Sequence, residues 1–260
     1  MPSQSDYEQA LAALGLGSVI VVHRDSTGST NDDAKEIAAQ LSPSDKSLLL
    51  VVAETQTRGR GRSGNVWFSP RGSISLTLAI PDIPPARLGV LPLGVGVCIT
   101  RALGSLGLAA RVKWPNDILI GDQKVCGILC ESSIARGAAR VFVGVGLNVE
   151  AGDGGAAMVR GATSLGAHGV ATERATLVAD IVGRVTALVQ GGQAAEAIVA
   201  EWRTASIPWW GEEATLSEGG VDRRIIVVDV DPEGRLVVRD EGGGMRTLIS
   251  GDVRNVRVIA

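Results

Sequence analysis

The first clear pattern in the chain is a short amphipathic helix. Residues 25–40 predict a loop and then a helix with a narrow apolar face, formed by Ala34, Ile37 and Ala38. Thr30 followed by Asp33 fits a capping box, in which each side chain accepts a hydrogen bond from the other residue's backbone N–H. The pattern therefore predicts a helix that begins just after Ser29.

Two β patterns follow this helix. Ser47 to Glu54 is a continuous apolar run bounded by polar residues, which is typical of a buried strand. Ser73 to Ile80 alternates apolar and polar residues, which predicts a strand with one buried face. A loop rich in arginine and glycine, residues 56–64, lies between the two predicted strands.

The middle of the chain predicts one apolar helix and then hairpins. Leu88 to Leu106 is apolar enough for a buried helix, and Pro92 predicts either its first turn or a kink, because proline lacks the N–H that later turns need. Ile118 to Ile120 and Val125 to Glu131 flank a short polar turn as in a hairpin, and Val141 to Val149 is a further strand. Hairpins therefore outnumber strand–helix–strand units here.

The last part of the chain changes character after Trp210. Before it, the glycine-rich residues 152–169 predict a loop, Arg174 to Val189 predicts a helix, and a second helix runs to Trp202. After it, four short β patterns alternate with turns: Arg224 to Val230, Arg235 to Arg239, Met245 to Leu248 and Val256 to Ile259. We expect a small barrel that packs on the preceding domain, because about 50 residues are near the lower limit for an independent fold.

Composition and charge narrow the possible functions. The chain is 45% hydrophobic and 20% charged, with no apolar run near the roughly 20 residues that span a bilayer. Met1 to Glu8 lacks the pattern of a secretory signal, so we expect a soluble, cytoplasmic protein. A net charge of -3 disfavours general nucleic-acid binding. Cys98, Cys126 and Cys130 form no Cys-x-x-Cys pair and predict buried, reduced thiols.

The arginine–glycine loop is the strongest chemical signal. Arg58, Arg60 and Arg62 occupy alternate positions, and the glycines between them let a backbone approach a ligand closely. Guanidinium groups form paired hydrogen bonds with phosphate or carboxylate oxygens. A mobile, solvated basic loop has the same spacing, so spacing alone leaves both readings open.

Two familiar nucleotide motifs fit the chain poorly. Gly59-x-Gly61-x-x-Gly64 matches the dinucleotide fingerprint formally, but that fingerprint needs a helix directly afterwards and a β pattern follows here. No Gly-Lys-Ser/Thr sequence occurs, which argues against a phosphate-loop NTPase. Any bound ATP must therefore use another architecture.

Five motifs occur in the order in which the biotin protein ligases carry them, and from Asp25 onward the chain resembles that family. They are Ser29 to Asn31, Ala53 to Trp67, Lys113 to Asp117, Lys124 to Glu131 and Gly144 to Val149. The resemblance implies an α+β fold, with a mixed, largely antiparallel sheet flanked by helices as in class II aminoacyl-tRNA synthetases. It also implies a catalytic domain at residues 1–207 and an SH3-like barrel at residues 208–260.

The resemblance implies a reaction in two halves. The biotin carboxylate attacks the α-phosphate of ATP, which forms biotinyl-adenylate and releases pyrophosphate, and an acceptor lysine then attacks the acyl carbon. The expected cofactors are ATP and Mg²⁺, with no dedicated cage of side chains for the metal. The expected partner is a biotin carboxyl carrier domain of a carboxylase, and the protein is a monomer or homodimer. The 24 residues before Asp25 are too few for a three-helix DNA reader, so neither DNA nor membrane is expected as a partner.

The family's site residues carry over onto matching positions. Lys113, Arg60 and Arg62 would be catalytic. The biotin-binding residues would be Ser29, Thr30, Asn31, Gln56, Arg60, Gly61, Arg62, Lys113, Gly127 and Leu129. The ATP-binding residues would be Arg60, Arg62, Lys113, Asn116, Asn148 and Trp67.

Each of these assignments has a plainer alternative. Ser29 and Thr30 could simply cap the helix, and Lys113 could be a surface lysine at a strand end. A tryptophan between two strands, such as Trp67, is more often core than ligand-binding, and Trp114 is interpreted in the same way. His23 and His168 match no ligand or triad spacing and are expected to be structural.

One departure and two rival functions stay open. Asn65 stands where the family usually repeats arginine, so the loop lacks one positive charge, and we hypothesise weaker retention of the adenylate. The first rival is a ligase or transferase for lipoate or octanoate, whose loop should not carry this arginine–glycine signature. The second is a nucleotide-binding regulator without catalysis, which Lys113 disfavours and Asn65 leaves open.

Overall fold

A seven-stranded mixed sheet and a five-stranded antiparallel sheet organise the chain. The computed structural model describes residues 1–42, 45–135, 137–150 and 160–255, with only the backbone at 63 and 255. The α-helices are α1 (Gln4–Ala13), α2 (Thr30–Gln40), α3 (Leu91–Ser105), α4 (Arg174–Gln190) and α5 (Ala195–Ala205). The strands of the large sheet are β1 (Ile20–Arg24), β2 (Leu49–Ala53), β3 (Ile74–Ile83), β4 (Ala110–Lys113), β5 (Asp117–Ile120), β6 (Gln123–Ala135) and β7 (Ala138–Leu147). The strands of the small sheet are β8 (Glu213–Glu218), β9 (Val221–Val230), β10 (Leu236–Asp240), β11 (Met245–Leu248) and β12 (Asp252–Asn255).

The large sheet is the centre of three layers. Its strand order is β1-β2-β3-β7-β6-β5-β4, and only the β1–β2 pair, which α2 connects, is parallel. Helix α2 covers one face with Ala34 and Ala38, while α1, α3, α4 and α5 cover the other. Successive residues of β2, such as Leu50 and Val51, enter different apolar clusters, so both faces of the strand are buried. The expected mixed, largely antiparallel sheet flanked by helices is confirmed.

The expectation that β3 has one exposed face is wrong. Both faces are buried from Ile74 to Ile80, and the polar residues Ser75 and Thr77 are buried with the rest. These hydroxyls lie on the face that α2 covers, where Thr77 is hydrogen-bonded to the start of the helix. The alternation of apolar and polar residues in β3 therefore indicates a polar site under α2 and not a face exposed to solvent.

The predicted start of α2 is correct but the predicted capping box is wrong. Ser29 is the N-cap in an extended conformation, Thr30 is the first helical residue, and the Ser29 side chain makes no capping hydrogen bond. Thr30 instead uses its N–H and hydroxyl for Gln56, in the arginine–glycine loop. The capping signal at this position therefore coincides with a contact between helix and loop.

Most of the other sequence predictions match the structure. Helix α3 has Pro92 in its first turn, and β5 and β6 pair as a hairpin. Helices α4 and α5 correspond to the two helices predicted before Trp210. The sequence patterns missed α1, β1, β8 and β12. The predicted strand at 256–259 and residues 152–159 of the predicted loop lie outside the described residues.

The three cysteines are free, and burial raises the pKa of the Cys98 thiol to about 11. No helix in the described part of the chain has the length and apolarity to cross a membrane.

A buried ion pair joins Glu54, the residue after β2, to Arg174, the first residue of α4. Arg174 Nη1 donates to Glu54 Oε2 at 2.8 Å, and the two side chains are 7% and 1% exposed. Arg174 also donates to the Ser73 carbonyl, and His23 Nε2 lies 3.2 Å from Glu54 Oε1. Removing one partner of such a pair is costly because the other charge stays buried without compensation.

We therefore expect Arg174→Met to lower the free energy of unfolding by about 3–5 kcal/mol, measured by urea denaturation. Arg184→Met is the matched control, because it removes an arginine of the same helix whose bridge to Asp180 is partly exposed. That change should cost about 1 kcal/mol or less. Equal losses in the two variants would contradict the structural role assigned to the Arg174–Glu54 pair.

Candidate functional site

A cavity of about 190 Å³ lies where the start of α2, the arginine–glycine loop and strands β4 to β7 meet. Its wall includes all ten of the predicted biotin-binding residues. It also includes Asn116 and Trp67 of the predicted ATP-binding set. A segment of the small sheet, Gly251 to Val253, completes the lining. The structure thus brings together motifs that are far apart in sequence.

A network of hydrogen bonds fixes the start of α2 at this cavity. Gln56 Oε1 accepts from the Thr30 N–H at 2.9 Å, and Gln56 Nε2 donates to Ser69 Oγ at 2.9 Å. Thr77 donates its hydroxyl to Asn31 Oδ1 at 2.6 Å and lies 2.8 Å from Thr30 Oγ1. Because these groups are buried and mutually satisfied, the network specifies one arrangement of the pocket wall.

Two glycines of β7 make room for the site. A Cβ atom on Gly144 would lie 2.5 Å from Asn31 Oδ1, and one on Gly146 would lie 2.2 Å from the Trp67 ring. Both distances are shorter than any real contact of that kind. The Gly144-Val145-Gly146 sequence therefore lets a helix terminus and an indole rest directly on the sheet.

Trp67 is a wall of the cavity and not part of the core, so the core interpretation of this residue is wrong. Its ring lies over Gly127 and Gly146, and it is only partly buried. Lys124 Nζ lies 5.4 Å from the ring centroid, within the range of a cation–π contact. Trp114, by contrast, is 2% exposed and belongs to the core, although it also borders the cavity, and it donates its Nε1–H to the Gly234 carbonyl in the turn between β9 and β10.

Two cations face the cavity without an anionic partner. In the described part of the chain, neither Lys113 at the end of β4 nor Arg62 in the loop forms a salt bridge. Burial lowers the pKa of Lys113 and of Arg62, and nearby Asp117 opposes the shift in both cases. An anionic ligand beside these groups would favour their charged forms and so oppose the effect of burial on both pKa values.

Arg60 differs from these two cations, because it is already paired. Its guanidinium donates to both carboxylate oxygens of Asp32 at 2.7 Å and to Glu131 Oε2 at 3.3 Å. The hydrogen bond with Asp32 is the main reason that the pKa of Arg60 is raised. Arg60 therefore joins the loop to the first turn of α2.

The two asparagines separate. Asn116 lines the cavity and donates its Nδ2 to the Ile128 carbonyl at 2.8 Å, and no described residue donates to its side-chain oxygen. Asn148 is buried, donates to the Thr163 carbonyl at 2.9 Å and is absent from the cavity lining. The structure therefore does not bring Asn148 to the cavity with the other predicted residues.

Sequence reasoning missed several residues that build the site. Thr77 was visible as a polar position in an apolar strand, and the signal was interpreted as exposure. Lys124 and Asp117 form a 2.6 Å salt bridge at the cavity. Both belong to the five family motifs, but no role was predicted for either. The contribution of Gly251 to Val253 had no sequence signal. Among the described residues, no cluster of three or more His, Cys, Asp or Glu side chains could hold a metal.

Comparisons with known proteins place this chain in a family. Residues 22–148 match the model of the biotin/lipoate A/B protein ligase family. The biotin–[acetyl-CoA-carboxylase] ligase of Mycobacterium tuberculosis is 31% identical over 240 residues, which cover 89% of this chain and 87% of that protein. The bifunctional ligase/repressor BirA of Bacillus subtilis is 37% identical over 152 residues, 56% of this chain. The match spans only 45% of that longer relative.

A solved structure shares the fold. The biotin protein ligase from Aquifex aeolicus, in complex with biotin and ATP, superposes with a TM-score of 0.71 at 23% identity. The match covers 91% of this chain and 99% of that one. The likeness in fold therefore extends over most of the chain.

We expect Gly146→Ala to displace Trp67 from the sheet, since the added Cβ cannot share space with the ring. The overpacking should lower the free energy of unfolding by about 1–3 kcal/mol and alter the near-UV circular dichroism. Gly104→Ala in α3 is the control, because a Cβ there meets no atom within 4 Å, and a helical alanine is favoured by up to about 1 kcal/mol. A Gly146→Ala protein with unchanged stability and unchanged spectrum would refute this packing.

Proposed function

The chain belongs to the biotin protein ligase family, and we propose on that basis that it activates biotin with ATP and transfers it to a lysine of an acceptor protein. In the first half, a biotin carboxylate oxygen bonds to the α-phosphorus and pyrophosphate leaves. In the second half, the acceptor amine attacks the acyl carbon, AMP leaves, and the amine loses its proton. The observation that carries the proposal is one cavity lined by all ten predicted biotin-binding residues.

The polar end of the cavity suits the ureido ring of biotin. That ring has two N–H donors and one carbonyl acceptor, so a specific pocket must offer acceptors and donors at short range. Ser29, Thr30, Asn31 and Gln56 supply small polar groups there, and the backbone of Gly127 and Leu129 supplies the rest. We assign ureido recognition to this end because its groups are already held in one orientation.

The cationic end of the cavity suits the reacting groups. Lys113 and Arg62 are partly desolvated and unpaired within the described residues, so they can stabilise negative charge that develops on the α-phosphate. Loss of one comparable donor typically lowers a rate by about 10² to 10³. We assign Lys113 to the biotin carboxylate and the α-phosphate, and Arg62 to the phosphate side.

The nucleotide would extend toward Asn116 and Trp67. Magnesium would arrive on the phosphates of ATP, whose charge it partly neutralises. The free oxygen of Asn116 fits a hard cation or a ribose hydroxyl, because amide oxygens are ligands of that class. Trp67 offers a ring face beside the sheet, although its position at Gly146 also suits the thiophene ring of biotin.

The partner and the domain division belong to the same proposal. The acceptor would be a biotin carboxyl carrier domain of a carboxylase, met in the cytoplasm. Residues 1–207 would be the catalytic domain, and residues 208–260 an SH3-like barrel, supported by the antiparallel order β11-β10-β9-β8-β12. The bulge between Val237 and Val238 bends one of these strands, as closure of a small barrel requires.

The proposal predicts exchange of labelled pyrophosphate into ATP that depends on biotin and Mg²⁺. Lys113→Ala should lower the exchange rate by about 10² or more, because a donor at the transition state is lost. Lys46→Ala is a control, since that lysine is exposed and its partner is Asp82, away from the cavity. Exchange with lipoate or octanoate in place of biotin would reassign the substrate, and no exchange with any acid would reject catalysis.

A further inference from the structure

Arg60 and Arg62 are two residues apart but have opposite surroundings. Arg60 is held by Asp32 through two parallel hydrogen bonds and by Glu131 through a third, all without a ligand. Arg62 has no carboxylate within salt-bridge distance in the described part of the chain and lines the cavity. The even spacing of Arg60 and Arg62 in the sequence therefore does not reveal that their surroundings differ.

The carboxylates that hold Arg60 are themselves held. Glu131 Oε1 accepts from Lys35 at 2.8 Å, and Glu131 Oε2 accepts from Asn31 Nδ2 at 2.6 Å. Burial raises the pKa of Glu131, but the bonds from Lys35 and Asn31 outweigh that effect and leave the pKa below its ordinary value. Asp32 lies in the first turn of α2, where the helix dipole favours a negative charge. The cluster therefore keeps both anions in place for Arg60.

We propose that Asp32 and Glu131 are positioning residues that anchor the loop through Arg60, and that Arg62 is the arginine that meets the anionic ligand. Arg60 remains with its carboxylates when ligand binds. The segment from Arg60 to Trp67 is then fixed at both ends, because Trp67 rests on Gly146 and Arg60 is tied to α2. Arg62 lies between these ends, so its position depends on both.

Contacts within the loop support this arrangement. The Gly61 N–H donates to the Asn65 carbonyl at 2.7 Å, and the Trp67 N–H donates to the Gly59 carbonyl at 2.9 Å. Before the loop turns, the Arg58 N–H donates to the Gly28 carbonyl at 2.9 Å. Backbone bonds therefore shape the turn, and Arg60 adds a second side-chain link to α2 beyond that of Gln56.

Exposure limits the size of the effect. Arg60 and Asp32 are 40% and 45% exposed, and one exposed pair typically changes an equilibrium by less than about fivefold. Paired Arg–carboxylate geometry and the additional link to Glu131 make this cluster stronger than a single exposed pair. We therefore expect changes of about three- to tenfold and not the loss of the fold.

The anchor is tested first without any ligand, by hydrogen exchange of the amides from Gly59 to Trp67. Asp32→Asn keeps the size of the side chain and removes its charge, so loop exchange should become about three- to tenfold faster. Asp33→Asn is the matched control, because its carboxylate is adjacent on α2 and its nearest cation, Arg24, is 3.9 Å away. Equal exchange in Asp32→Asn and wild type would overturn the anchor, whether or not the protein is a ligase.

The division of roles is tested by the sign of the effect on ligand, and this part rests on the proposed function. If Arg60 is an anchor, Asp32→Asn should weaken binding of biotinyl-adenylate and speed its release about three- to tenfold. If Asp32 instead restrains an anion-binding Arg60, the same change should leave binding equal or tighter, and the division of roles would be rejected.

A double-mutant cycle completes this test. Arg60→Gln and Asp32→Asn should accelerate adenylate release by similar factors, and the double variant should be no worse than either single variant. Arg62→Gln should give a larger, additive effect. An Arg60→Gln loss as large as that of Arg62→Gln, unaffected by Asp32→Asn, would show direct ligand contact by Arg60 and refute the proposal.

Discussion

The site depends on the close approach of α2 to the sheet at Gly144. With any side chain at that position, Asn31 could not lie where its oxygen meets Thr77 and its amide meets Glu131. The positions of the helix terminus, the loop and the polar wall all follow from this contact. The same strand repeats the device at Gly146, where Trp67 takes the place of the helix. Two missing Cβ atoms thus define where a ligand can be held.

Electrostatics divide the cavity into two regions. At the α2 side, charges are balanced in advance, since Arg60 has Asp32 and Glu131 has Lys35. At the β4 side, burial disfavours the charged forms of Lys113 and Arg62, and the protein supplies them with no direct partner among the described residues. An anionic reaction centre is stabilised best where cations are fixed, desolvated and unpaired. The proposed adenylation requires unpaired cations at the reaction centre, and the β4 side of the cavity supplies them.

The sequence predicted elements well where the local pattern had one cause. The continuous apolar run of β2 and the proline at the start of α3 each have a local explanation, and both were predicted correctly. Thr77 and Thr30 were misinterpreted because polar residues under a helix look like exposed or capping residues. Nearly all of the site residues that the resemblance predicted line the cavity, with Asn148 as the exception, whereas the Arg60–Asp32 pair depends on tertiary contact that spacing does not encode.

The central claim is that the hydroxyl of Thr77, which lies behind the cavity wall, holds Thr30 and Asn31 in the orientation proposed to recognise biotin. The most direct measurement is calorimetric titration of biotin into Thr77→Val, which keeps the shape and removes the hydroxyl. Without the hydroxyl, Asn31 and Thr30 lose a hydrogen bond that contributes about 0.5–1.5 kcal/mol to their orientation. Because binding must then restore that orientation, the affinity for biotin should fall about two- to tenfold. Thr100→Val in α3 is the control, because its buried hydroxyl bonds only the Val97 carbonyl. Thr77→Val protein that binds biotin as tightly as this control would contradict the account.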